Sequence, residues 1–278
     1  MVKEDKRSTS YVYPPSIWDH EFVQSLKSEY TKESKYGRRV EELKEFVRRM
    51  FADHQKESDR SLASSDLLML INIIQRLGIS YHFDTEIKAA LCAIKDEHII
   101  WEKETSVLQA VRFRLLRQHG SEYFKNFLEE IRSSPMKASM GNYKDIEGLL
   151  SVYEASFYAY PGEKILREVQ GLTVNFLKGY MTMMEEEVEE DNNKKIIMKK
   201  MVRHALVMPL QWDMPRVQTR WFIDVYEMME GMNPQLLLEF AKLDFNMVQA
   251  IHQEDLKNIS RLVLHSCDAR IYFLLMIY

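Results

Sequence analysis

The chain has 278 residues, of which 46% are hydrophobic, and its 38 basic and 42 acidic side chains give a formal net charge of -4. This hydrophobic fraction excludes global disorder. The near balance of charge excludes a strong field for nucleic acid or an anionic membrane surface, so neither partner is expected.

Cysteine content and the chain ends bear on the compartment. Cys92 and Cys267 are the only cysteines, too few for a disulfide framework or a zinc quartet, which favours a reducing compartment. The N-terminal residues lack the apolar run of a signal peptide. The apolar stretch at 271–278 is far shorter than the ~20 residues of a membrane span. We expect a cytosolic protein, or a plastid one if the N-terminus is incomplete.

Helical periodicity begins after a polar, proline-bearing arm at residues 1–18. Apolar residues recur at helical spacing in several segments: Val40, Leu43, Val47 and Met50; Leu108, Val111 and Leu115; Leu237, Phe240, Met247 and Ile251. Ser65 or Asp66 is predicted to cap the helix that Gly78 ends. Asp84 and Thr85 are candidate caps of the next helix, and Asn233 with Pro234 is predicted to start the last one.

Residues that favour turns predict where the loops between these helices lie. Residues 133–142 are the clearest internal loop, and Pro161-Gly162 is predicted to end the helix that begins near residue 145. No period-2 strand pattern and no fixed 34- or 40-residue repeat is found. The sequence therefore predicts an all-α domain of paired antiparallel helices.

Searching the sequence for catalytic motifs finds no complete active site. It has no phosphate-binding glycine loop, no nucleophile elbow and no His-Glu-x-x-His motif. The eight histidines are interpreted as surface or locally bonded side chains, and the acidic run at 185–191 as a solvated loop or helix end rather than a metal cluster. Trp101, Trp212 and Trp221 are predicted to be large apolar anchors.

Six phrases of the sequence, in this order, resemble one protein family. They are "YVYPPSIWDHEFVQSLKSEY", "LINIIQRLGISYHFDTEIKAAL", "LQAVRFRLLRQHG", "IEGLLSVYEASFYAYPGEKIL", "HALVMPLQWDMPRVQTRWFIDVYE" and "NPQLLLEFAKLDFNMVQAIHQEDLKNISR". Together they cover about residues 6–261 and resemble plant terpene synthases.

The resemblance implies two α-helical domains in tandem, of which the first is an irregular α/α barrel without catalysis of its own. The second domain of that family is a lyase that ionises a prenyl diphosphate, here geranyl or farnesyl diphosphate, with Mg²⁺. Carboxylates of an Asp-Asp-x-x-Asp motif and of an Asn/Asp–Ser/Thr–Glu motif hold the metal, because hard cations prefer oxygen ligands.

The chain departs from that pattern in its C-terminal part. No Asp-Asp pair occurs anywhere, and the resemblance stops near Arg261. We therefore expect an arm at 1–18, the barrel at 19–232, the first helix of the catalytic domain at 233–261, and an aberrant tail at 262–278. The catalytic domain would be almost entirely missing, and the chain inactive by truncation.

One motif of the family bears on the substrate. Monoterpene-forming members carry an arginine pair, eight residues and a tryptophan, a segment implied to cap the active site. Here Lys6 stands at the first arginine, and ten residues separate Arg7 from Trp18. Arg7 and Trp18 are thus candidate substrate-capping residues. The alternative is an arm without that role.

A different class of function is also possible: a non-catalytic helical module that binds a partner. The apolar face of residues 236–251, without its catalytic-domain packing, would then be the docking surface. If that face is unpartnered, truncation at Met232 should raise solubility. Oligomeric state is not predicted.

Overall fold

The computed structural model describes residues 19–56, 60–95, 105–120, 145–186, 193–212, 214–229 and 235–265. All regular elements in these ranges are helices, which confirms the all-α prediction. In chain order they are α1 (His20–Ser25), α2 (Lys35–Lys56), α3 (Arg60–Arg76), a 3₁₀ turn (Ser80–His82), α4 (Asp84–Lys95), α5 (Ser106–Gln118), α6 (Ile146–Ser156), α7 (Lys164–Glu186), α8 (Asn193–Val207), α9 (Pro215–Met228) and α10 (Gln235–His265).

Helix–helix contacts close into a ring, the irregular α/α barrel that the family resemblance implies. In order around it, α2 packs on α3, α3 on α5, α5 on α6, α6 on α7, α7 on α8, α8 on α9, α9 on α10, and α10 on α2. The short α1 packs against α10, and α4 contacts α2, α3 and α5. The last described helix is therefore an integral part of the ring.

Apolar side chains at helical spacing create two adjoining cores. In α2, Val40, Leu43 and Val47 are all buried, as their spacing predicts, because residues three and four apart share one helix face. They belong to the larger core with residues of α3, α4, α5, α9 and α10. The smaller core joins α6, α7 and α8 around Leu177.

The start of α3 differs from the prediction. The helix begins at Arg60, so Ser65 and Asp66 lie within it and neither caps it. Ala63 and Ser64 are buried against the ring, and this packing extends the helix past the polar residues that resemble a cap. The end is as predicted: α3 ends at Arg76, and Gly78 follows with φ +71°.

Other helix ends refine the predictions. Helix α4 begins at Asp84, so Asp84 and Thr85 are its first residues. Helix α6 ends at Ser156, five residues before Pro161, and its N-cap Asp145 accepts a hydrogen bond from the amide of Gly148 at 2.9 Å. The loop at 133–142, the cap at Asn233–Pro234, and Trp101 lie outside the described residues.

Gly78 provides a test of the turn that follows α3. A Cβ atom there would lie 2.2 Å from Thr219 Oγ1 on α9. The φ of +71° also disfavours alanine, by about 1–2 kcal/mol. We expect Gly78→Ala to lower the free energy of unfolding by about 1–3 kcal/mol more than Gly120→Ala, because of this clash. Gly120 has φ +76°, with no atom of the described residues within 4 Å. Urea unfolding measures both, and equal losses would contradict the packing of α3 on α9.

The apolar face of residues 236–251 was expected to be unpartnered, and this prediction is wrong for its N-terminal part. Leu237, Phe240 and Ala241 are buried in the larger core, where α10 meets α2 and α9. Met247 is partly buried against the same core, whereas Ile251 is exposed. The ring, and not a further domain, packs against this part of the face.

Candidate functional site

A network of buried charged and amide side chains joins α3, α5 and α6. Arg76 donates one hydrogen bond to Glu154 and another to Asn72 Oδ1 at 3.2 Å. Arg114 also donates to Asn72 Oδ1, at 2.5 Å, and to Gln75 Oε1 at 3.3 Å. Burial lowers the pKa of the Arg114 guanidinium, and the nearby Arg76 lowers it further. With its arginines paired to one carboxylate and two amides, the network holds three ring helices together and leaves no free acid or base.

A second polar cluster surrounds the carboxylate of Asp244 on α10, which is only 4% exposed. Tyr81 Oη donates to Asp244 Oδ1 at 2.7 Å. His82 Nε2 lies 2.7 Å from the same oxygen, and because a carboxylate only accepts, this nitrogen carries the proton. Arg216 Nη1, on α9, is 3.6 Å from Oδ2. We call Tyr81, His82 and Arg216 the Asp244 socket.

Aromatic contacts hold the socket in place. The rings of Tyr81 and His82 have centroids 3.9 Å apart, and His82 stacks on Phe240 at 5.6 Å. The Arg216 guanidinium lies 5.6 Å from the centre of the Tyr81 ring. The donors are therefore fixed by packing before they reach the carboxylate.

Burial raises the pKa of the Tyr81 phenol well above its usual value near 10, and the hydrogen bond to Asp244 raises it further. The unfolded chain thus releases this proton at lower pH than the native one. The stabilisation is complete below pH ~10 and is lost as pH rises beyond it.

We expect Tyr81→Phe to remove this dependence, so the difference in unfolding free energy between wild type and variant should shrink from pH 9 to 11. Denaturation series at several pH values measure it. Tyr226→Phe is the comparison variant, because burial alone raises that pKa and the trend should have the same sign. A difference that is constant with pH would contradict the placement of Tyr81.

A surface groove lies between residues 27–33 and α10, with a volume of about 590 Å³. Met247 and Ile251 form its apolar wall. Three lysines and two glutamates also line it, and one of the lysines, Lys257, contacts Glu254 at 3.3 Å. This mixture of charges provides no preference for an anion.

Magnesium ligands are not brought together in the part of the chain that the structure describes. No group of three His, Cys, Asp or Glu side chains there could hold a metal ion. The two buried carboxylates, Glu154 and Asp244, each face hydrogen-bond donors instead of other carboxylates. The described residues do not fit the magnesium set that the family resemblance implies.

Several residues singled out in the sequence are not part of these clusters. Arg7 and Trp18 lie outside the described residues. Of the acidic run, Glu185 is exposed and 3.9 Å from Arg203, while residues 187–191 are outside the description. Trp212 is 71% exposed, and its ring packs edge-on against Phe157 with centroids 5.3 Å apart. Trp221 is partly buried and stacks on His204 with centroids 3.7 Å apart.

The socket itself was missed by sequence reasoning, although two signals were present. Asp244 falls at i+3, i+4 and i+7 from the buried residues Ala241, Phe240 and Leu237, a position where an apolar residue is expected. Tyr81 and His82 belong to one of the six family-like phrases. A lone carboxylate on an apolar helix face predicts a buried, paired site, but not its partners.

The ring of helices and its polar networks define an all-α domain. No helix among the described residues has the length and hydropathy of a membrane span. Residues 17–206 match the family model of the terpene synthase N-terminal domain. The chain belongs to the terpene synthase family.

Curated relatives from plants are similar over most of this chain. Terpene synthase 10 of Ricinus communis is 43% identical over 256 residues, which is 89% of this chain and 42% of the relative. A chloroplastic myrcene synthase of Humulus lupulus is 43% identical over 276 residues, or 94% of this chain and 43% of the relative. The chain thus spans less than half the length of these relatives.

Solved structures of terpene synthases also match most of this chain over less than half of their own length. Limonene synthase with 2-fluorolinalyl diphosphate superposes with a TM-score of 0.73 at 31% identity, covering 90% of this chain and 44% of that one. Isoprene synthase from grey poplar, with three Mg²⁺ ions and dimethylallyl-S-thiolodiphosphate, has a TM-score of 0.61 at 31% identity, covering 88% and 42%.

Proposed function

We propose that this chain provides the N-terminal helical scaffold of a terpene synthase and has no catalysis of its own. The whole enzyme would be a Mg²⁺-dependent lyase that ionises geranyl or farnesyl diphosphate to form a mono- or sesquiterpene. The relatives named for myrcene and limonene support a monoterpene product.

The observation that carries the scaffold role is the filled centre of the ring. Leu68, Ile71 and Ile74 of α3 and Phe113 of α5 are fully buried, and charged groups inside pair with one another. A prenyl cation needs an apolar cavity shielded from water. Packed side chains occupy this interior, so the work of these residues is to support neighbouring structure.

Magnesium chemistry is proposed for the whole enzyme only, where the metal would neutralise the departing diphosphate. Because the described residues do not fit that metal set, no catalytic step is assigned to them. The capping role of Arg7 and Trp18 and the domain boundaries at 18, 232 and 261 likewise remain proposals.

A product assay tests the absence of catalysis. The purified 278-residue chain is incubated with geranyl and farnesyl diphosphates and Mg²⁺, and volatiles are analysed by gas chromatography. We expect nothing above a boiled control. A terpene that disappears with a chelator would overturn the proposal and direct attention to the carboxylates between Glu185 and Asp191.

A chimaera tests the scaffold role directly. Residues 1–261 of this chain replace the matching part of the Humulus lupulus synthase, in front of its remaining sequence. We expect myrcene from the chimaera and little from that remaining sequence expressed alone. A folded chimaera without product would count against the scaffold role.

The partner-binding alternative depended on an unpartnered face at 236–251, most of whose N-terminal part is buried in the ring. It is not proposed further. The compartment stays a prediction between the cytosol and a plastid, and the chloroplastic relative favours the plastid. Imaging the chain with a C-terminal fluorescent tag distinguishes the two.

A further inference from the structure

Asp244 is held by groups from two other parts of the chain. Tyr81 and His82 come from the 3₁₀ turn after α3, and Arg216 comes from the first turn of α9. Tyr81 and His82 contact Oδ1 of Asp244, and Arg216 forms an ion pair with Oδ2 at 3.6 Å. The contacts of this one side chain therefore depend on the position of α10 relative to both the 3₁₀ turn and α9.

A second ion pair on α10 provides an internal contrast. Arg39 of α2 donates to both carboxylate oxygens of Glu239, at 2.7 and 2.9 Å, but these side chains are about 40% exposed. Water can replace either partner there, so the pair tolerates movement of α10. Asp244 has no such replacement, because an unpaired buried carboxylate is costly.

This difference makes the socket sensitive to helix position. A shift of α10 by one residue would rotate its face by about 100° and remove the carboxylate from all of its donors. The apolar residues around it are less selective, because Leu237, Phe240 and Ala241 could repack against a similar apolar surface. Apolar packing therefore attracts α10 to the ring, while the carboxylate distinguishes one register from its neighbours.

We infer that Asp244 is a positioning residue that fixes the rotation and register of α10 against the barrel through the Asp244 socket. Helix α10 lies beyond residues 17–206, the part that matches the family's N-terminal domain. Through Tyr81 and His82, the socket thus joins the matched residues to a helix that lies beyond them. The consequence for catalysis rests on the proposed function: in a whole synthase, the socket would set how the catalytic residues stand relative to the scaffold.

Hydrogen exchange of the 278-residue chain, followed by mass spectrometry, tests the inference without any assay of activity. Asp244→Asn removes the charge and keeps the shape of the side chain. Glu239→Gln makes the same change on the same helix at an exposed pair. We expect Asp244→Asn to accelerate exchange about tenfold or more in peptides from 245–261 and 79–84, with α6 and α7 unchanged. Glu239→Gln should change these rates less than about twofold.

Two results would overturn the inference. Equal exchange rates in Asp244→Asn and Glu239→Gln would mean that Asp244 constrains the position of α10 no more than the exposed pair does. Acceleration spread evenly over all helices would mean a loss of global stability without a role in position. Neither result depends on whether the whole enzyme makes a terpene, so failure here is distinct from failure of the proposed function.

A double-mutant cycle measures the coupling between two substitutions, which a general loss of stability would not produce. Tyr81→Phe and Asp244→Asn are measured singly and together by the same exchange experiment. If the socket acts as one unit, Tyr81→Phe should have little further effect once the carboxylate is gone. Additive effects would contradict a shared role.

The nitrogen resonances of His82 provide the spectroscopic counterpart. Its Nε2 proton donates to Asp244, so Asp244→Asn should shift that resonance while Glu239→Gln leaves it unchanged. An unshifted resonance would contradict the contact. If Asp244→Asn fails to fold by circular dichroism, His82→Gln replaces it in the hydrogen-exchange experiment, with the same expected localisation of exchange.

Discussion

Replacing Phe240 with alanine is expected to lower the free energy of unfolding by about 3–5 kcal/mol. Phe240 is fully buried where α10 meets the barrel. Its ring packs nearly perpendicular to Phe83, with centroids 6.1 Å apart, and contacts His82 on its other side. Because Phe83 is itself fully buried in the larger core, it cannot collapse fully into the cavity. Urea unfolding followed by circular dichroism measures the loss.

Leu256→Ala is the matched control for that substitution. Leu256 lies on the same helix but is exposed, so its loss should stay within about 0.5 kcal/mol. A loss below about 1 kcal/mol for Phe240→Ala would show that α10 does not close the ring. For the same reason, truncation at Met232 should now reduce stability and solubility, because it uncovers the core that Leu237 and Phe240 seal.

The helical class follows from the sequence because the spacing of apolar residues in each helix identifies its buried face. The barrel architecture followed from the family resemblance. Val40, Leu43 and Val47 identify the inner face of α2 without knowledge of any partner. Gly78 marks the end of α3 because a residue with positive φ is tolerated best when it lacks a Cβ.

Features set by tertiary packing could not be predicted in the same way. Helix α3 begins one turn before Ser65 because Ala63 and Ser64 find buried positions in the ring. Trp212 is 71% exposed, whereas Trp221 is partly buried and stacks on His204. The local sequence predicts that a segment is helical, but the packing of the helices in the ring determines which side chains are buried.

The same distinction applies to the site. The spacing of Asp244 marks it as a carboxylate on an apolar face, but Tyr81 is 163 residues away in sequence. Only closure of the ring by α10 brings them together. The family resemblance predicted the fold correctly and directed attention to metal ligands and the arm, whereas the buried polar contacts lie inside the scaffold.

Replacing Glu154 with alanine is expected to lower the free energy of unfolding by about 3–5 kcal/mol, because it leaves buried arginine charge without its carboxylate. Arg76 pairs directly with Glu154, and Arg114 lies in the same network through Asn72. Both arginines are buried, so water cannot replace the lost carboxylate. Thermal and urea unfolding measure the effect.

Two further variants distinguish the cost of leaving a buried charge unpaired from the cost of losing contacts. Asp224→Ala removes an exposed pair with Arg220 and should cost less than about 1 kcal/mol. The double variant Arg76→Met, Glu154→Leu should lose less stability than Glu154→Ala, because it removes both members of the pair and fills their space with apolar atoms. A double variant that is worse than the single one would mean that hydrogen bonds of Arg76 to Asn72 stabilise the ring more than relief of the unpaired charge. If the hydrogen bonds contribute more, the network stabilises the fold. If relief of the unpaired charge contributes more, the network instead selects one packing arrangement of the helices at a cost in stability.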